Sequence, residues 1–468
     1  MIAMRKLAFA VAGVIVIGAG AAATVHYRPD RAVNVATEFV AHMLCSATFV
    51  SGFDPDQFYR EALEPLRGIR VLDHGIQYNV DKLRREVTVN FVNTLEGYAV
   101  FRGETGCIIG HEDEYIPPIM DMTKNEAVTP LLPDIAGDQV VEPSDPKLKA
   151  ALDRAFAEPD HPPHRYTKAI VVLHDGKIIA ERYAPEIKMD TRLYGEAVST
   201  SLVNAMIGVL VRQGKLTTDG PAPVDDWKET SDPRHVISIE NLMRMTSGLD
   251  LKQTNSGFDR GSQILTLEGD MAGAAARAEL IALPGMRWAY SGPSTILLSR
   301  IVKNKVGQPE NVLQFARREL FGPLGMKNMT LEFDGAGTPV GSSFFFGSAR
   351  DWARFGQLYL NDGVVGDKRI LPEGWVKWSA TPTVEADVGY GAGFWTNRGD
   401  SRGARARVKE GMPNDSFFAS GNLGQRVIIV PSANLVVVRF GNSRDYPNFD
   451  VQGTTRLVSD VIAALRAP

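Results

Sequence analysis

The sequence predicts a mixed α/β fold, and three stretches carry that expectation. From Val198 onward, apolar residues at 198, 202, 205, 206, 209 and 210 follow helical spacing, so one helix lays an apolar stripe against a core. Between residues 168 and 183, two β-branched runs meet at Asp175-Gly176, a strong hairpin signal. Toward the C-terminus, residues 417–431 and 435–439 read as an edge strand, a turn and a returning strand.

At 468 residues the chain is long enough for a large domain and a smaller one. Its 44 % apolar and 23 % charged residues are ordinary for a globular protein. A net charge of -4 gives no basis for nucleic acid or an anionic membrane surface as partner. Arg5 and Lys6 precede an apolar run from Leu7 to Val25 that includes Ala21-Ala22-Ala23. That is the order of a secretory leader, and the run is also long enough to remain as a membrane anchor, so residues 1–28 are read as one or the other. The expected location is outside the cytoplasm, in the periplasm or on the outer face of the inner membrane, with membrane contact only through that segment.

Two cysteines, Cys45 and Cys107, fit an oxidising compartment, where a single pair allows one bridge closing a loop of about sixty residues. Two free buried thiols are the alternative. No Cys-x-x-Cys, His-Glu-x-x-His or Cys/His cluster occurs, so neither a metal nor another cofactor is expected.

Residues 30–145 read as a small module ending in a linker. A helix is expected over 32–45, then short alternating strands at 86–92 and 98–102. Pro117, Pro118, Pro130, Pro133 and the corner Pro143-Ser144-Asp145-Pro146 mark the linker. A second helix is expected over 148–156, ahead of the hairpin.

After the hairpin, Gly195-Glu196-Ala197-Val198-Ser199-Thr200-Ser201 opens the long helix, which runs through Asn204-Ala205-Met206-Ile207-Gly208 to Gln213-Gly214-Lys215-Leu216. Then come Met245-Thr246-Ser247-Gly248-Leu249, the element from Pro284-Gly285 to Tyr290-Ser291-Gly292, a Ser348-capped helix, and Ser420-Gly421-Asn422-Leu423-Gly424-Gln425. In this order the segments resemble the serine β-lactamase and penicillin-binding-protein superfamily, in the branch of class C β-lactamases, esterases and 6-aminohexanoate-dimer hydrolases. The likeness spans about residues 165 to 465. It implies a β-lactamase/transpeptidase-like domain over 146–468: a mainly antiparallel sheet flanked by helices, plus a helical subdomain carrying Tyr290.

The resemblance also implies roles. The family's helix opens Trp-Ser-Met-x-Lys-Ser, and ungapped alignment puts its nucleophilic serine on Ala197 and its lysine on Thr200. A methyl group has no lone pair to attack with, and Thr200 brings no general base. Ser199 points elsewhere around the helix, and Ser201 lies a turn deeper. Tyr290 matches the tyrosine whose phenol relays protons when neighbouring cations lower its pKa. Gly292 stands where the family has a substrate-positioning asparagine. The strand at Gly421, Asn422 and Gly424 matches the edge that hydrogen-bonds substrate and completes an oxyanion hole, with Asn422 in place of the basic residue.

Other hydrolase chemistry finds no support. All eight histidines fall at or before residue 235, no Gly-x-Ser-x-Gly occurs, and no nucleotide-binding glycine loop is present. The leading expectation is therefore an exported, catalytically impaired family member that binds a small amide, ester or peptide-like ligand. One rival is an active amide or ester hydrolase using Thr200, Ser199 or Ser201 with Tyr290. Another is an envelope scaffold that recruits a partner through residues 30–145.

Overall fold

The computed structural model describes residues 28–111, 128–307, 309–443 and 453–466. Of the segment 1–28 read as a leader or anchor, residues 1–27 lie outside the described residues, as do the linker prolines Pro117 and Pro118.

Helix α1 (Pro29–Cys45) packs on an antiparallel sheet of β1 (Ile76–Asp81), β2 (Glu86–Phe91), β3 (Leu95–Phe101) and β4 (Cys107–Ile109), in that order. Val40, Ala41 and Leu44 of the helix and Val87, Val89 and Ala99 of the sheet are wholly buried. The approach is so close that a Cβ at Gly97 would stand 2.3 Å from the Thr37 backbone, so glycine is required there. With its continuation to Val50 this helix is long and apolar enough to cross a bilayer, but 72 % of its most apolar window is buried inside the protein, where it serves as a core helix. Cys45 and Cys107 form a disulfide that ties the end of α1 to β4.

Helix α2 (Pro146–Phe156) starts two residues earlier than expected. The Asp145-Pro146 corner is a helix start rather than linker: the Asp145 carboxylate accepts from the Lys147 and Leu148 amides, and proline fits the first turn. The hairpin forms as β5 (Thr167–His174) and β6 (Lys177–Tyr183), with Asp175 and Gly176 both at positive φ, the geometry of a tight type I′ turn. A short strand β7 (Leu193–Tyr194) leads into the long helix α3 (Ser199–Arg212). Next come α4 (Arg260–Leu267) and α5 (Gly292–Val306), which build the helical subdomain. Strands β8 (Thr330–Leu331) and β9 (Phe345–Gly347) join β7 in a small sheet, and α6 (Ala349–Leu360) follows, capped by Ser348.

The C-terminal stretch holds three strands where two were expected after the short β10 (Trp395–Thr396): β11 (Phe417–Gly421), β12 (Gln425–Val430) and β13 (Leu435–Gly441). The break at 422–424 depends on Leu423 in the left-handed region beside Gly424, a conformation that leucine gives no reason to expect. With the hairpin these form a six-stranded antiparallel sheet, ordered β10-β11-β12-β13-β5-β6. Both faces are covered, which is why β5 is apolar at every position from Ala169 to Leu173. Ala169, Val171 and Leu173 join the main core, while Ile170 and Val172 pack with Leu152 of α2 and Val458 and Val461 of the last helix, α7 (Thr455–Leu465).

The α1 region and this sheet-and-helix body meet at a buried carboxylate. Glu332 accepts from the Ser46 hydroxyl (2.8 Å) and the Cys107 amide (2.7 Å), and pairs with His42 Nε2 at 2.9 Å.

Candidate active site

Helix α3 is preceded by a single 3₁₀ turn, Glu196–Val198, which sets Ala197 at its mouth. The helix is anchored from behind. The Gly195 amide donates to the Phe345 carbonyl of β9, and the Asn204 side chain is held by four hydrogen bonds, from Tyr359 and Trp375 and to Ser379 and the Ala392 carbonyl.

Strand β10 pairs with Phe417 and Phe418, so that among the described residues 419–422 run on past its end toward Ala197. Gly421 lets that edge reach the helix: a Cβ there would lie 2.9 Å from the Gly195 carbonyl and 3.1 Å from the Ala197 nitrogen. Gly424 helps turn the chain into β12, and its carbonyl accepts from Arg439.

Two backbone N–H groups, of Ala197 and Asn422, converge here on one oxygen. That oxygen is Oε2 of Glu196, 2.5 Å from the first nitrogen and 2.6 Å from the second. Oε1 accepts from the Asn422 side-chain amide at 3.2 Å. Glu196 reaches this position with φ of 48°, in the left-handed region. Burial pushes its pKa up, and the two amides, the positive charge of Arg426 and the Asn422 side chain pull it back. The free N–H at the helix start thus has its anion, supplied by the neighbouring side chain.

Tyr290 stands just ahead of Ser291, the N-cap of α5. Its ring stacks toward Trp395 at 6.3 Å and meets Tyr390 edge-on at 6.0 Å. Trp288 packs on Tyr390 at 5.9 Å. Burial first, and then the charge of Glu196, drive the Tyr290 pKa upward, with Thr200 opposing. The phenol is therefore held protonated, the reverse of what a proton-accepting tyrosine needs.

The three hydroxyls at the helix start divide. Ser199 accepts from the Phe345 amide at 3.3 Å and Ser201 donates to the Gly393 carbonyl at 2.6 Å, so both are spent on structure. Thr200 Oγ1 is buried beside Tyr290 without a hydrogen bond of full geometry. Ala197, Thr200, Tyr290, Gly421 and Asn422 accordingly come together. Gly292 is reached by a residue the sequence did not single out: Gln253, whose side-chain carbonyl accepts from the Gly292 amide at 2.7 Å. An amide is thus present at that point, brought from a different loop. Among the described residues no cluster of histidine, cysteine and carboxylate side chains suits a metal ion.

Comparison with known proteins fits this geometry. The family described as Beta-lactamase matches residues 152–461. An uncharacterised protein of Alkalihalophilus pseudofirmus is 24 % identical over 331 residues, covering 63 % of this chain and 89 % of the relative. A 6-aminohexanoate-dimer hydrolase of Paenarthrobacter ureafaciens is 21 % identical over 316 residues, 60 % of this chain and 73 % of the relative. Among solved structures, a penicillin-binding protein homologue from Caulobacter crescentus superimposes with a TM-score of 0.54 at 16 % identity, covering 71 % of this chain and all of that one. From the long helix, the sheet edge and the matched span together, the chain belongs to the β-lactamase family.

Proposed function

We propose that this protein is a non-acylating member of its family: a binding protein that uses the cleft between α3, β11 and the Tyr290 element to hold a small amide, ester or peptide-like ligand without covalent chemistry. The observation that carries this reading is the pairing of Ala197 with Glu196. The residue aligned with the nucleophile has no attacking atom, and its own amide, together with that of Asn422 on the edge strand that the resemblance makes part of the oxyanion hole, donates to a carboxylate. Losing one member of such a unit removes nearly all its rate, and here the attacking oxygen and the lysine are replaced and the Ala197 amide is occupied. The disulfide and the leader-like run at 7–25 support export to an oxidising compartment.

The test is labelling of the purified full chain with a fluorescent fluorophosphonate and a fluorescent penicillin. The expected result is no adduct by intact mass. An adduct mapped to Ser199, Thr200 or Ser201 overturns the reading in favour of a substitute nucleophile.

A further inference from the structure

We propose that the mouth of this cleft recognises an organic ammonium group, held against the Glu196 carboxylate and the ring faces of Tyr290 and Trp395. The inference names the ligand class for the non-acylating reading above and rests on it.

Charge is the first ground. Among the described residues at the mouth, Ala197, Thr200 and Asn422 are uncharged, and the carboxylate presented there is that of half-buried Glu196. Its Oε2 is filled by two amides, while Oε1 takes one longer bond from Asn422 and keeps a lone pair for a further donor. A carboxylate ligand would find both amides occupied and a like charge in the way. Arg426 acts on Glu196 through its field, but its guanidinium donates to the Gly421 and Gln425 carbonyls, at 2.6 and 2.7 Å.

The aromatic wall is the second. Tyr290 and Trp395 lie 29° from parallel, and Tyr390 presents its edge to both at 88°. Aromatic faces beside a carboxylate attract cations, more strongly where water is partly excluded. The third ground is unmet hydrogen bonding. Thr200 Oγ1, on a residue only 4 % exposed, has no hydrogen bond of full geometry beside the Tyr290 phenol, and Trp288 Nε1 lacks one at this same cluster. Buried polar groups short of good hydrogen bonds are rare in folded proteins, and the Thr200 hydroxyl can accept from an N–H-bearing ligand.

The experiment is calorimetric titration of the full chain with benzylammonium, neutral benzyl alcohol and anionic phenylacetate. Benzylammonium is expected to bind saturably, with the other two weaker by about tenfold or more. Glu196→Gln should cost about tenfold for benzylammonium and leave benzyl alcohol unchanged. Tyr290→Leu should weaken benzylammonium independently, which guards against misfolding of the first variant; circular dichroism checks both. Phenylacetate binding as tightly as benzylammonium, no binding by any probe, or unchanged affinity in both variants overturns the ammonium site. A fluorophosphonate adduct on protein that still binds benzylammonium would instead sink the non-acylating reading and leave this site standing.

Discussion

Two successive turns of helix α3 are built to different standards. At Asn204, deep in the helix, every side-chain hydrogen-bonding position is used: Oδ1 accepts from Tyr359 and Trp375, and Nδ2 donates to Ser379 and Ala392. Four residues earlier, one turn toward the mouth, Thr200 Oγ1 has no hydrogen bond of full geometry, and neither has the nearby Trp288 Nε1. The difference separates what holds the helix in place from what faces the cleft. A buried network that is fully satisfied locks α3 to its neighbours, so the fold does not depend on which side chains stand at the mouth.

Substitutions in the anchored turn and at the mouth sharpen this contrast. Asn204→Ala strands a phenol, an indole N–H, a serine hydroxyl and a carbonyl in the core, and is expected to cost about 3 kcal/mol or more in chemical denaturation. Gly421→Ala forces a methyl group against the Gly195 carbonyl, and an expected loss of about 2 kcal/mol would show that the contact between strand edge and helix start is tight.

Buried carboxylates repeat the contrast. Glu332 has three partners, whereas Glu38 accepts only from the Tyr98 amide, and burial lifts its pKa from 4.5 to about 8. The folded chain keeps a proton there that the unfolded chain has released, so this part of the stability is full below pH 4.5 and is lost as pH rises through about 8. Glu38→Gln should therefore raise the melting temperature at pH 8 and leave it nearly unchanged at pH 4; equal shifts at both values would contradict the assignment. The smallest effect is expected from Thr200→Val, which removes a hydroxyl with no hydrogen bond of full geometry and should change stability by less than about 0.5 kcal/mol. A loss of 2 kcal/mol or more there would break the comparison.

The fold was legible because its signals are local. Asp175-Gly176 marks its own turn, the 198–210 stripe its own helix, and the pair Cys45 and Cys107 has one connectivity. The departure from the family's Ser-x-x-Lys was legible in the same way, as two residues at fixed spacing, Ala197 and Thr200. What could not be read was the use of Glu196 and Gln253. Both depend on contacts across long stretches of chain: the Glu196 carboxylate meets an amide 226 residues away, and Gln253 meets one 39 residues away. The strand break at Leu423 was hidden for another reason, since a leucine in the left-handed region is imposed by tertiary packing against its local preference.

The central claim is that a missing oxygen and an occupied pair of amides together keep this site from acylating. Intact-mass analysis after fluorophosphonate treatment tests it directly on Ala197→Ser/Thr200→Lys, alone and combined with Glu196→Ala. The account expects no adduct on the double variant and one adduct, on the new serine, once Glu196 is also removed. Full labelling of the double variant, or an adduct on the unaltered protein, would contradict it.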